Sequence, residues 1–420
     1  MSDSAIVGSP PAPVGSSERV SELDVLRGFA LLGVLLVHCY SWPAPPFLTT
    51  EAQFEAVASS WQDQWAGFLT QWLFYDKANT LFAFLFGVGF WVQMERMEAR
   101  GGNFRAIYLR RLTILLAFGL LHLFTIWPFD ILHLYALAGF ALFALRKSSG
   151  RVLLIGGIIL ALGARPLFDL LFEAIGVSGP AFDLAYSDAA IMERQNVGSF
   201  GELVAVFAWL PAVDFIASGM IVGWFFYALG RFMLGAYVAR QGWLQRAAQL
   251  LPRYRFWLLV TLPLGLAGEF VAASLEFGSF AVLEPFVAAE GPLHTVSAPL
   301  LAVGYVCAIV LLFHSRLSAV VRVFAPVGRM ALTNYVMQGV ALGFVLYKFD
   351  PALGLIGRIG PASLMAIGFV IFAAQILVSH LWLSRFAYGP LEWGWRALTY
   401  GRRPPMRLAS EAARPPLPGS

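Results

Sequence analysis

The chain is poor in charge and nearly free of cysteine. Asp, Glu, Lys and Arg make up 13% of its 420 residues and hydrophobic residues 59%, with mean hydropathy +0.70, whereas soluble domains carry about 25% charged residues. One soluble core cannot hide that much apolar surface, so an ordinary globular domain is excluded. Its two cysteines, Cys39 and Cys307, lie far apart inside apolar runs, which excludes a disulfide framework and a cysteine-rich metal site. No GxxxxGK[ST] loop, HExxH pair or GxSxG elbow occurs, so the commonest signatures of nucleotide, zinc-protease and serine-hydrolase chemistry are missing. The formal charge of +4 resides mostly in short loops and carries no nucleic-acid signature. There is no convincing internal repeat, which argues against a transporter built from inverted halves. Residues 1–20 are polar and rich in Pro, Gly and Ser, and the apolar run from Leu23 has no small-residue cleavage site before Pro43. They read as a disordered tail, as do residues 404–420, flanking a single bundle over 21–403.

What is present is a succession of apolar stretches long enough to cross a bilayer, for which about 20 residues at 1.5 Å rise are needed. Ten such segments occur, near 24–41, 79–95, 112–128, 131–145, 152–172, 215–238, 257–276, 295–313, 331–347 and 362–384. The expected fold is all-α, a polytopic transmembrane bundle of about ten spanning helices with added interfacial helices. Lys and Arg test the threading, because they accumulate in cytoplasmic loops. With both termini cytoplasmic, 22 of the 29 Lys and Arg fall on the inner side, against Arg194, Lys348 and Arg358 in outer loops and Lys77 just before the second span. The expected location is a membrane that the chain crosses many times. Segment 61–77, with Trp61, Trp65 and Trp72, reads as an amphipathic helix at the outer interface. Residues 203–238, containing Pro211 and Asp214, form either one kinked helix or an interfacial helix followed by a span; the second is preferred here.

Polar groups inside such segments cost about 2.5–3.5 kcal/mol each when charged, so each needs a reason. Asp24 and Arg27, three apart near the inner end of the first span, can pair with each other or meet a ligand. His38 closes the same span at its outer end. His122 lies near the outer end of the third span and Asp130 follows a short turn later, so the two can meet. A carboxylate that orients an imidazole makes a general base, although the same pair could merely tie a helical hairpin. His133 and Tyr135 open the fourth span, and Asp76, Lys77, Glu269, Glu276 and His294 gather on the outer side as well. At the inner side Arg105, Arg110 and Arg111 precede the third span, Arg329 and Asn334 open the ninth, and Arg396, Arg402 and Arg403 follow the tenth. Clustered arginines grip phosphates bidentately, beyond their role in topology.

Five of these stretches carry a likeness: RVSELDVLRGFALLGVLLVH at 19–38, LFAFLFGVGF at 81–90, FDILHLYALAGF at 129–140, GRMALTNYVMQ at 328–338 and GPLEWGWRALTYG at 389–401. Together they resemble the bacterial YeiB-like membrane family, domain of unknown function 418, from about residue 19 to 403. That family is distantly similar to membrane acyltransferases such as heparan glucosaminide N-acetyltransferase. The resemblance implies transfer of an acyl group from cytoplasmic acyl-CoA, as co-substrate rather than tightly bound cofactor, to a glycan or lipid acceptor on the far side. Asp24, Arg27 and Gly28 match the relatives, while His38 stands where many have Asn. On this reading His38, His122, Asp130 and His133 are the catalytic candidates, and Asp24, Arg27, Arg110, Arg111, Arg329, Asn334 and Tyr135 the substrate-binding ones. No metal is expected. The competing readings are a permease for a small solute, and a non-enzymatic membrane scaffold whose buried polar groups only tie helices together.

Overall fold

The computed structural model describes residues 20–45, 48–99, 104–175, 187–211 and 220–408. The predicted tails lie largely outside them, as does Asp214. Among the described residues the chain is helical, without named strands. The helices run α1 Ser21–Ser41, α2 Glu51–Ala58, α3 Trp61–Leu73, α4 Lys77–Ala99, α5 Phe104–Thr125, α6 Leu132–Ala144, α7 Gly150–Ile175, α8 Asp188–Gln195 and α9 Phe200–Pro211. They continue as α10 Met220–Arg240, α11 Leu251–Glu276, α12 Glu290–Phe313, α13 Ser318–Arg322, α14 Ala325–Arg329, α15 Ala331–Leu346, α16 Pro361–Leu383 and α17 Pro390–Tyr400. Six helical stretches, Ser21–Ser41, Phe104–Thr125, Ile221–Arg240, Leu251–Glu276, Val282–Phe313 and Pro361–Leu383, are long and apolar enough to cross a membrane. The other four predicted spans fall on α4, α6, α7 and α15, of which α6 is short at 13 residues. Of residues 203–238, those described, 203–211 and 220–238, fall on two helices, α9 and α10.

Polarity is arranged as a bilayer demands rather than as water does. Leu259 on α11 is 75% exposed and Val370 on α16 is 70% exposed, while the Lys77 side chain is only 1% exposed. An outward apolar face around an inward charge is the pattern of a chain dissolved in lipid. The molecule is a multi-pass membrane protein. Helix α3 leaves Trp61 and Trp65 exposed and turns Trp72 inward, where its Nε1–H donates to the Leu266 carbonyl at 2.9 Å. It stops at Leu73 rather than running to 77, because Asp76 takes a left-handed φ of 62° that breaks the helix before α4 begins.

Small residues set the closest crossings. A Cβ on Gly28 of α1 would overlap the carbonyl of Phe324, and one on Gly328 of α14 would overlap the carbonyl of Asp24, so two backbones touch where the first and fourth motifs meet. Without a hydrophobic drive between helices in lipid, such contacts are a main source of association. Gly87 of α4 and Gly235 of α10 repeat the arrangement against Phe232 and Phe84. Residues 404–408, which the sequence places in a tail, return along the last turn: Ala387 N–H donates to Met406 and Leu408 N–H to Arg385.

Candidate functional site

Asp130 owes its position to a cap. The turn between α5 and α6 presents its Oδ2 to the backbone N–H of His133 at 3.1 Å, satisfying one of the donors that a helix start leaves open. The other oxygen, Oδ1, looks back at α5 and meets His122 Nδ1 at 2.9 Å. Tyr335 of α15 donates its hydroxyl to the same Oδ1 at 3.3 Å, and His133 Nδ1 lies 3.3 Å from Oδ2. Four donors therefore converge on a carboxylate that is 0% exposed, which is how a buried anion is tolerated.

The pairing fixes the chemistry of His122. With Nδ1–H donated to Asp130, the neutral ring carries its lone pair on Nε2, the arrangement that makes imidazole a base. That Nε2 is buried and has no hydrogen-bond partner among the described residues. It faces Gly339, where an added Cβ would lie 3.0 Å from it. His38 joins the group from α1, its ring 5.0 Å from Trp127 and 6.5 Å from Tyr335, and His122 stands 5.3 Å from Tyr335.

On the other side of Tyr335 opens a cavity of about 300 Å³ that runs toward the arginine-rich end of the bundle. Its walls come from α1, α4, α5, α6, α14, α15 and α17. Five arginines, Arg27, Arg96, Arg111, Arg329 and Arg396, line it against two carboxylates, Asp24 and Glu392. Arg27 Nη1 pairs with Asp24 at 3.3 Å, and the Arg111 guanidinium stacks 3.6 Å from the centre of the Trp395 ring. Trp395 Nε1–H in turn donates to the Arg111 carbonyl at 2.9 Å, so the ring that holds the cation is itself held. Tyr135 and Tyr335 line the cavity's deep end.

Glu392 does for α15 what Asp130 does for α6. Its carboxylate accepts the backbone N–H groups of Leu332 at 2.7 Å and Thr333 at 3.0 Å and the Thr333 hydroxyl at 2.6 Å. Burial pushes this carboxyl above the usual glutamate range, and the hydrogen bonds pull part of the way back.

The predicted candidates thus divide. His38, His122, Asp130 and His133 come together at one level, while Asp24, Arg27, Arg111, Arg329 and Tyr135 share the cavity. Arg110 lies apart, exposed and against Gly401 rather than in the cavity. Asn334 is a buried tie, its Nδ2 donating to Val327 O at 3.1 Å and Ser379 Oγ at 3.0 Å. Tyr335, Glu392 and Trp395 were not singled out; all three stand inside the fourth and fifth motifs, 328–338 and 389–401, which is the signal that could have found them.

Four of the other outer charges, Asp76, Lys77, Glu269 and His294, form a separate knot with Arg231. Lys77 pairs with Glu269, which also takes the Ser297 hydroxyl and lies 3.1 Å from His294 Nδ1. Asp76 takes the Tyr227 hydroxyl and lies 3.7 Å from Arg231 Nη2, and Arg231 Nε donates to Thr80 Oγ1 at 2.8 Å. This knot joins α4, α10, α11 and α12 beside the His122 group rather than within it. Among the described residues no group of three or more His, Cys, Asp or Glu is arranged to hold a metal ion.

Residues 238–402 match the family model described as protein of unknown function (DUF418). The chain is 32% identical over 404 residues to the uncharacterized protein YxaH of Bacillus subtilis (strain 168), covering 92% of this chain and 96% of that one. It is 31% identical over 396 residues to the uncharacterized protein YeiB of Escherichia coli (strain K12), covering 91% and 96%. An uncharacterized 39.9 kDa protein encoded in the amylase 3' region of Bacillus acidopullulyticus is 28% identical over 409 residues, covering 95% and 99%. No solved structure matches.

Proposed function

The chain belongs to the YeiB-like DUF418 family of membrane proteins, and from that premise we propose that it is a membrane-embedded acyltransferase. The observation that carries the proposal is the buried, unpartnered Nε2 of His122, its ring aligned by Asp130, across Tyr335 from an arginine-lined cavity. In this reading the arginine-rich end faces the cytoplasm of a bacterial inner membrane, with both termini on that side. An acyl-CoA lays its phosphates on Arg27, Arg96, Arg111, Arg329 and Arg396, where planar guanidinium groups match phosphate geometry. Its pantetheine arm extends inward and brings the thioester to Tyr335.

The acceptor, a hydroxyl or amine of an extracytoplasmic glycan or of a lipid, approaches from the His38 side. His122 Nε2 removes the acceptor proton while Asp130 stabilises the imidazolium that forms, a division of labour worth about 10²–10⁴-fold in rate. Holding donor and acceptor in one protein replaces a bimolecular encounter by a fixed geometry. His133, on the second oxygen of Asp130, keeps that carboxylate from rotating.

A transporter reading has one observation in its favour, the buried knot of Lys77, Glu269, Asp76, Arg231 and His294, since intramembrane ionisable groups commonly bind solutes or carry protons. The two readings separate on labelled acetyl-CoA. Purified protein in nanodiscs, given membrane glycans and lipids, should transfer label, and His122→Ala should abolish transfer while leaving acetyl-CoA binding in place. Absence of both binding and transfer, with proton-driven solute uptake into proteoliposomes, would favour the transporter.

A further inference from the structure

Attack on a thioester carbonyl places a negative charge on its oxygen, and a base alone does not stabilise that charge. A hydrogen-bond donor must reach the oxygen from the donor side while the base works from the acceptor side. Tyr335 stands between the two. Its ring lines the arginine-lined cavity, its centroid is 5.3 Å from that of His122, and its hydroxyl reaches Asp130 Oδ1 at 3.3 Å. A phenol proton turns about its C–O bond, so the Tyr335 hydroxyl can swing from Asp130 to another acceptor. If that proton turns away, Asp130 keeps three donors: His122 Nδ1, His133 Nδ1 and the His133 backbone N–H.

Resting on the acyltransfer reading, we propose that Tyr335 is a catalytic residue, the donor that stabilises the tetrahedral oxyanion. The acceptor oxygen or nitrogen attacks the thioester carbon, forming a C–O or C–N bond as its proton passes to His122 Nε2. The carbonyl electron pair moves onto oxygen, which takes a hydrogen bond from the Tyr335 hydroxyl. The pair then returns, the C–S bond breaks, and the proton on His122 Nε2 leaves with the thiolate as free coenzyme thiol. Atoms and charges balance without a further reactant. Tyr335 stands between that cavity and the His122 ring, so a thioester entering by the cavity meets this hydroxyl before it meets the base.

Tyr335→Phe tests this by removing one oxygen while keeping the ring. Wild-type and variant protein in octyl glucoside would be given acetyl-CoA, with the detergent's sugar hydroxyls and water as acceptors, and thiol release followed. The expected result is a fall in kcat of about 10²–10³-fold, with KM for acetyl-CoA changed less than about threefold, because a donor used only in the transition state leaves ground-state binding alone. A residue with a merely structural role would move KM and the melting profile together. Should Tyr335→Phe fail to fold, 3,5-difluorotyrosine at the same position keeps the hydroxyl, lowers its pKa, and should displace the alkaline limb of the kcat profile to lower pH. Unchanged kcat in Tyr335→Phe, or an unmoved limb with the fluorinated residue, overturns this role while wild-type turnover keeps the acyltransfer reading. Absence of thiol release by the wild-type protein with acetyl-CoA and with longer acyl-CoA overturns both.

Discussion

Replacing Lys77 by Met should destabilise the bundle, and replacing Glu269 by Gln in the same molecule should restore most of the loss. Both side chains are 1% exposed and paired with each other. In soluble proteins, removing one partner of a buried pair costs about 3–5 kcal/mol, and an isolated charge at mid-bilayer costs about 2.5–3.5 kcal/mol on insertion scales. Glu269 would not be fully isolated, since the Ser297 hydroxyl and His294 Nδ1 remain on it, so the expected cost of Lys77→Met is about 2–3 kcal/mol. The double variant carries no stranded charge. It loses the Lys77 bond to the Gln71 carbonyl at 2.7 Å, and it should lie within about 1 kcal/mol of wild type. Unfolding by SDS in bicelles, followed by tryptophan fluorescence, measures all four corners of the cycle. A single-variant cost under about 0.5 kcal/mol, or a double variant as unstable as Lys77→Met, would show that the pair is not the buried, mutually dependent unit argued for.

Three further outcomes follow from the same geometry. Asp130→Asn should lower transfer by about 10²–10⁴-fold, because an amide cannot accept from both histidines and the Tyr335 hydroxyl at once; measured kcat within threefold of wild type would remove Asp130 from the mechanism. Gly339→Val should abolish transfer by filling the space before His122 Nε2 while acetyl-CoA still binds at the arginine-lined end, as equilibrium dialysis would reveal. Glu392→Gln should flatten the acid-side pH dependence of stability. The folded carboxyl holds its proton to higher pH than the unfolded one, so the folded state binds the excess proton, and wild-type stability falls as pH rises from the ordinary glutamate pKa through the raised one. Melting temperatures of the two proteins across that range should converge at its lower end.

Helix placement was legible because lipid leaves the chain few options: every backbone group must be satisfied within its own segment, so apolar runs declare themselves. The His122–Asp130 pairing was legible for a local reason, since a turn of a few residues folds one onto the other. Distance along the chain hid the rest. Tyr335 meets Asp130 across 205 positions, and Trp395 reaches the Arg111 carbonyl across 284. Lys77 and Glu269 were both noted as outer charges, but hydropathy carries no information about which helices adjoin, so the knot they form with His294 could not be separated from the His122 group. Asn334, read as a ligand contact because it opens a span, also ties α15 to Val327 and Ser379, a role that its place in the sequence does not announce.

The carboxylate of Glu392 has a mechanical consequence. It clasps the first turn of α15 at Leu332 and Thr333, and the same rod, rising 1.5 Å per residue, bears Tyr335 and then Gly339 opposite His122. A displacement of α17 is therefore passed toward Tyr335 along one helix, unbroken between Thr333 and Gly339.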